Sequence, residues 1–124
     1  QKNVSNKSFT RKLQKDLMLL NAIALKQNKI PALTEFGYNT IPDDTWWTQV
    51  FLKAVCKYRL AYVMAWRNSG TTEYYVPYAG QQSADDFRSF YRSGIPLFSK
   101  ETGLRQMYQL HPPLENDRQN HEQK

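Results

Sequence analysis

At 124 residues the chain has room for one domain of ordinary size. With 23% charged and 40% hydrophobic residues it is neither disordered by composition nor a membrane protein, and no apolar run approaches the roughly 20 residues that a spanning helix needs. The net charge of +6 invites a nucleic-acid partner, but its distribution argues against one. Lys2, Lys7, Arg11, Lys12, Lys15, Lys26 and Lys29, set against Asp16, account for all of it, and the remainder is neutral.

Phe9, Leu13, Leu17, Leu20 and Ala24 recur at helical spacing through that basic segment, so most of its cations belong on a solvated helix face. The spacing predicts a helix from an N-cap at Ser8 to about residue 27. Residues 29–36, KIPALTEF, then read as a strand. This strand carries an apolar run to its end and places Thr34 and Glu35 there, just before Gly37, where the chain must turn. Pro42, Asp43 and Asp44 suit the start of a second helix, since acids favour the positive end of the dipole and proline tolerates the first turn. That helix is predicted to reach about residue 57 with Trp47, Val50, Phe51, Ala54 and Val55 inward. Helical neighbours point about 100° apart, so one of Trp46 and Trp47 packs inward and the other against a neighbouring element. Cys56 stands alone, which excludes an internal disulfide and any multi-cysteine metal site.

Residues 60–66, LAYVMAW, form a second predicted strand, followed by the long loop RNSGTTEYYVPYAGQQ punctuated by Gly70, Pro77 and Gly80. Ser83, with Asp86 three residues on, resembles a capping box opening a helix to about residue 91. After Leu110 the composition turns polar, Pro112 and Pro113 make a break, and residues 111–124 read as a loose tail. His111 and His121 match no metal-ligand spacing.

The order helix, strand, helix, strand, helix predicts parallel α/β architecture. Both strands are apolar at nearly every position, which calls for cover on both faces of a parallel sheet. Two strands cannot supply that environment, so either further strands pair with them or the chain is part of a larger sheet. The second is the expectation: with neither an initiator Met nor a signal-like apolar core, the chain reads as mature, trimmed or a fragment.

In a (β/α)8 barrel the active site lies at the C-terminal ends of the strands. Glu35 ends the first predicted strand, and Trp66, Arg67 and Asn68 end the second. Such a set can start a sugar site: an aromatic face stacks on a pyranose, Arg and Asn donate to hydroxyls, and a carboxylate can attack an anomeric carbon. The plainer reading of Glu35 is a strand-end acid paired with a lysine.

Three blocks, ALTEFGYNTIPDDTWW, AYVMAWRN and YYVPYAGQQSADDFRSFY, together resemble the C-terminal part of glycoside hydrolase family 26, chiefly β-mannanases. The resemblance covers about residues 9–98. It implies an α/β fold, namely the C-terminal portion (about helix 6 to helix 8) of a (β/α)8 TIM barrel with two parallel strands in this chain. Residues 1–110 would be the C-terminal part of the catalytic domain. It implies retaining hydrolysis of β-1,4-mannans, with Glu35 as nucleophile at the end of strand seven. Trp66 resembles the aromatic floor under the sugar at the cleavage point and Arg67 a glycone contact. Asn68, Tyr74, Tyr75 and Tyr78 are further candidate substrate contacts. The family's acid/base glutamate, in an Arg-Pro…His-Glu type motif ending strand four, has no match in this chain, so the chain alone is expected to be inactive. The resemblance implies β-mannan or a manno-oligosaccharide as substrate, the remaining barrel strands as partner, and an extracellular, periplasmic or cell-surface location. Neither cofactor nor metal, nucleic acid nor membrane is expected. The alternative is a non-catalytic remnant or carbohydrate-binding module of mannanase ancestry.

Overall fold

An apolar stripe spaced four, four, three and four residues apart faces one direction only on a helix. In the computed structural model, which describes residues 2–104, it lies along helix α1 (Lys2–Lys26). Leu13, Leu17 and Ala24 are buried, Phe9 and Leu20 pack against them, and Lys7, Arg11, Lys12, Lys15 and Lys26 are exposed. Ser8 is not the N-cap. The helix begins well before it, because nothing in KNVSNK, free of Pro and Gly, stops propagation. At the other end Asn28 takes φ 51°, the Asn28 N–H donates to the Leu25 carbonyl (3.2 Å), and the Lys29 N–H donates to the Ala24 carbonyl (2.8 Å). That is a Schellman closure, with asparagine accepting the left-handed position.

Strands β1 (Leu33–Phe36) and β2 (Val63–Ala65) pair in parallel, as the element order predicted, but both are shorter than expected. Pro31 has no N–H to offer the ladder. Pairing nonetheless extends past the strand ends: Ala61 N–H to Pro31 O at 2.8 Å, Leu33 N–H to Tyr62 O at 3.1 Å, and Trp66 N–H to Phe36 O at 2.8 Å.

The connection between the strands also departs from expectation. Residues 44–45 form a turn in which Asp43 Oδ1 accepts the backbone N–H of Thr45 (2.9 Å) and its hydroxyl (3.0 Å). Only then does a π-helical segment (Trp46–Leu52) begin, passing into a short helix α2 (Lys53–Val55). Trp47, Val50, Phe51 and Ala54 are buried as predicted, whereas Val55 is only half-buried. Both tryptophans are core residues, each 1% exposed, meeting edge to face at 4.9 Å. Trp46 turns toward Phe9 of α1 and Trp47 toward Phe87 and Phe90.

Those two phenylalanines belong to helix α3 (Ala84–Arg92), where the predicted capping box does not form. The Ser83 hydroxyl and N–H both donate to Gln81 Oε1 at 2.7 Å, and Asp86 reaches instead to the Thr48 N–H (3.0 Å) and hydroxyl (2.5 Å). Asp86 thus ties α3 to the π-helical segment. One half of a capping box appears at helix α4 (Ser99–Leu104), which the sequence pattern did not predict: the Phe98 N–H donates to Glu101 Oε2 at 2.9 Å.

The core lies between one face of the two strands and the helices. Phe36 stacks on Phe51 with centroids 4.0 Å apart and also contacts Trp46 and Trp47. The opposite face has no such cover among the described residues, and two strands by themselves cannot supply it. Tyr62, Met64 and Trp66, at alternate positions in and beside β2, are all exposed, while the rings of Trp46, Trp47 and Phe51 pack on the Phe36 side. Among the described residues no helix is long and apolar enough to cross a membrane. The predicted tail, with His111 and His121, lies outside the described residues.

Candidate functional site

The register decides what the strand ends present. Leu33 pairs with Val63 and Phe36 with Ala65, so three steps along β1 span two along β2. The slip leaves Thr34 and Glu35 opposite Met64, a bulge of the kind that re-aims side chains at sheet ends. Leu33 and Phe36 face the helices, while Thr34 and Glu35 are exposed. Ala65 lies level with Phe36, so Trp66, one residue on, leaves by the same face as Glu35. Trp66 is 41% exposed. Glu35 has neither a hydrogen bond nor an ion pair with any described residue, so the plain reading of a lysine-paired acid does not hold.

The two loops leaving this edge are stitched together. The Thr40 N–H donates to Tyr74 O at 2.8 Å and the Tyr74 N–H to Asn39 Oδ1 at 3.2 Å. Gln81 Nε2 donates to the carbonyls of Thr40 (3.2 Å) and Ile41 (3.1 Å), and Gln82 Nε2 adds a bond to Ile41 O at 3.2 Å. Thr40 and Ile41 need this support, since they hold φ of 59° and 40°. Left-handed backbone at β-branched residues costs about 1–3 kcal/mol each. The turn after the first strand is at Asn39 and Thr40, closed by the Ile41 N–H on the Tyr38 carbonyl (3.1 Å), rather than at Gly37. Gly37 serves a different purpose: a Cβ there would meet the Tyr75 ring at Cδ1 and lie 3.0 Å from its Cγ.

The remaining predicted contacts divide. Arg67 is exposed, with its guanidinium unpaired among the described residues. Tyr75 is half-buried and Tyr78 exposed. Tyr74, expected to face a substrate, is 8% exposed and belongs to the core cluster, its ring edge-on to Tyr78 at 5.2 Å. It offers a packing contact and no free stacking face. Asn68 is committed to its own loop: Oδ1 accepts the N–H groups of Tyr75 (2.9 Å) and Val76 (3.0 Å), and Nδ2 donates to Val76 O (2.9 Å). Asn39 and Gln81, which hold the loops together, were not singled out by sequence, because nothing in a lone carboxamide shows which carbonyl it will meet.

At the other end of the strands Leu25, Asn28 and Pro31 line a cleft with Arg59, so the connections entering the strands meet at the opposite edge. Among the described residues no three His, Cys, Asp or Glu side chains group as a metal site.

Two parallel strands crossed over by a helix, with an unpaired carboxylate and an aromatic ring leaving one edge and one face, define part of an α/β protein whose polar chemistry gathers at the strand C-termini. Comparison with solved structures shows what it is similar to. The chain superimposes with a TM-score of 0.74 and 44% identity on a GH26 beta-mannanase from Bacteroides ovatus, BoMan26A, over 77% of its own length and 28% of that enzyme's. The similarity to glycoside hydrolase family 26 is thereby shown on a solved fold, over a stretch of that enzyme rather than the whole. No family model matches the chain, and no curated protein does.

Proposed function

We propose that this chain is the C-terminal portion of a (β/α)8 glycoside hydrolase that cleaves β-1,4-mannans with retention, and that Glu35 is its nucleophile. The observation that carries the reading is the shared exit of Glu35 and Trp66 from one edge and one face of a parallel pair, where barrel enzymes place their chemistry. The Glu35 carboxylate attacks the anomeric carbon and forms a glycosyl-enzyme ester as a second carboxyl group protonates the departing oxygen. Water then cleaves the ester, with that second group now accepting its proton. Trp66 supplies the apolar face under the ring, and Arg67 is free to donate to hydroxyls.

The second carboxyl must lie roughly 5–5.5 Å from the nucleophile in a retaining enzyme. Asp86 is bonded to Thr48 and Asp85 pairs with Arg88 at 2.9 Å, both on the helix layer behind the strands. Since no residue of this chain matches the family's acid/base motif, the proton donor is assigned to the rest of the barrel, whose strands are the partner of this chain and would cover Tyr62, Met64 and the strand edges. Residues 1–110 form the catalytic-domain part, and an extracellular, periplasmic or cell-surface site of action suits a polysaccharide substrate.

The test is complementation. The Bacteroides ovatus enzyme lacking the stretch matched here is mixed with this chain, and reducing-sugar release from mannan is measured. Release that disappears with Glu35→Gln is the expected result. A stable complex that binds manno-oligosaccharide without hydrolysing it would support the non-catalytic alternative.

A further inference from the structure

We infer that Gly37 and Asn68 are positioning residues which seat the ring of Tyr75 at the end of β1, two residues past Glu35, so that this ring forms a side wall of the sugar site. The inference rests on the reading of Glu35 and Trp66 as a sugar site and adds to it the device that shapes one boundary. Two independent features converge on Tyr75. From below, the missing side chain of Gly37 admits the ring: an added Cβ would lie 3.0 Å from Tyr75 Cγ and 3.2 Å from its Cβ. Gly37 has no left-handed φ to explain a glycine, so room for the ring is what the position requires.

From the side, Asn68 folds the loop back. Its carboxamide oxygen accepts the adjacent N–H groups of Tyr75 (2.9 Å) and Val76 (3.0 Å), while Nδ2 donates to Val76 O (2.9 Å). The Ser69 N–H, donating to Glu73 O at 2.7 Å, closes the same loop from within. Asn68 lies two residues beyond Trp66, whose N–H is bonded to Phe36 O at 2.8 Å. The aromatic floor, the wall and the carboxylate are thus held by one short run of bonds across the strand ends. A rigid aromatic wall orients a sugar at little entropic cost on binding, because its ring is already fixed. Asn68 acts through Tyr75 and needs no sugar contact of its own.

The full chain carrying Glu35→Gln, isotopically labelled, is combined with the Bacteroides ovatus enzyme lacking the matched stretch, titrated with mannohexaose and followed by nuclear magnetic resonance. In the free chain the Gly37 α-protons should show an upfield ring-current shift from Tyr75; its absence overturns the inference. On titration, Tyr75 and Trp66 signals should both move. Gly37→Ala and Asn68→Ala should abolish the Tyr75 response and keep that of Trp66. Asn68→Asp retains an oxygen for both N–H groups but sets its other oxygen against the Val76 carbonyl, so it should restore the response only in part. A response at Trp66 with none at Tyr75 overturns the wall and leaves the sugar site standing. No response at either residue removes the sugar-site reading and the wall together.

Discussion

The backbone N–H of Trp66 donates to the carbonyl of Phe36 at 2.8 Å, one residue beyond the last pair of the two strands. The bond extends the ladder to the sheet edge and fixes Trp66 beside the bulge that exposes Glu35. Phe36 itself is anchored in the core by stacking on Phe51. The position of the exposed ring therefore depends on packing on the opposite face of the sheet.

The three tryptophans should separate cleanly on substitution. Trp66→Ala, at an exposed position, should change unfolding free energy by no more than about 0.5–1 kcal/mol while removing manno-oligosaccharide binding. Trp46→Ala and Trp47→Ala empty fully buried sites and should each cost about 3–5 kcal/mol. Chemical denaturation checks the stabilities and ligand titration the binding; a large stability loss at Trp66 would place that residue in the core instead.

Hydrolysis by the chain alone is expected to be unmeasurable, because the acid/base motif that the resemblance calls for has no match in this chain. Reducing-sugar release from mannan by the purified 124-residue protein, abolished by Glu35→Gln, would contradict this.

Self-association is the expected solution behaviour. Tyr62, Met64 and Trp66 form an exposed apolar stripe, both strand edges are open among the described residues, and Met18, Leu19, Ile23, Leu25 and Ile30 are exposed on or just after α1. Such surfaces drive edge pairing and burial between chains. Sedimentation should show species that grow with concentration, and a sharp monomer at every concentration would count against the partial-barrel reading.

Gln81→Leu should destabilise the chain by about 2–4 kcal/mol, since it leaves the Ser83 N–H and hydroxyl and the Thr40 carbonyl without their partner. Gln82→Leu removes one bond from a carbonyl that Gln81 also serves, and should cost under about 1 kcal/mol. Denaturant midpoints for the two variants decide it; equal losses would mean that the Gln81 network carries no special weight.

Much of this protein is legible in residue spacing. The stripe from Phe9 to Ala24 specifies α1, the order of elements specifies a parallel pair, and an acid and an aromatic at strand ends point to the candidate site. These are local periodicities and chain order, which survive in one dimension. What only the tertiary structure decided depends on contacts between segments far apart in sequence. The one-residue slip between β1 and β2 exposes Thr34 and Glu35 together, and alternation along a strand cannot announce it. Asp86 and Ser83 look like a capping pair locally, yet Asp86 finds Thr48 across the core, and the Ser83 hydroxyl accepts the Trp47 indole N–H while donating to nearby Gln81. Asn68 reads as a sugar contact by its place after Trp66 and proves to be a loop brace, and Tyr74 and Tyr75 are adjacent yet divide between core and rim. A side chain's hydrogen-bonding capacity is written in the sequence. Which group uses it is settled only when the chain folds and distant backbone arrives within 3 Å.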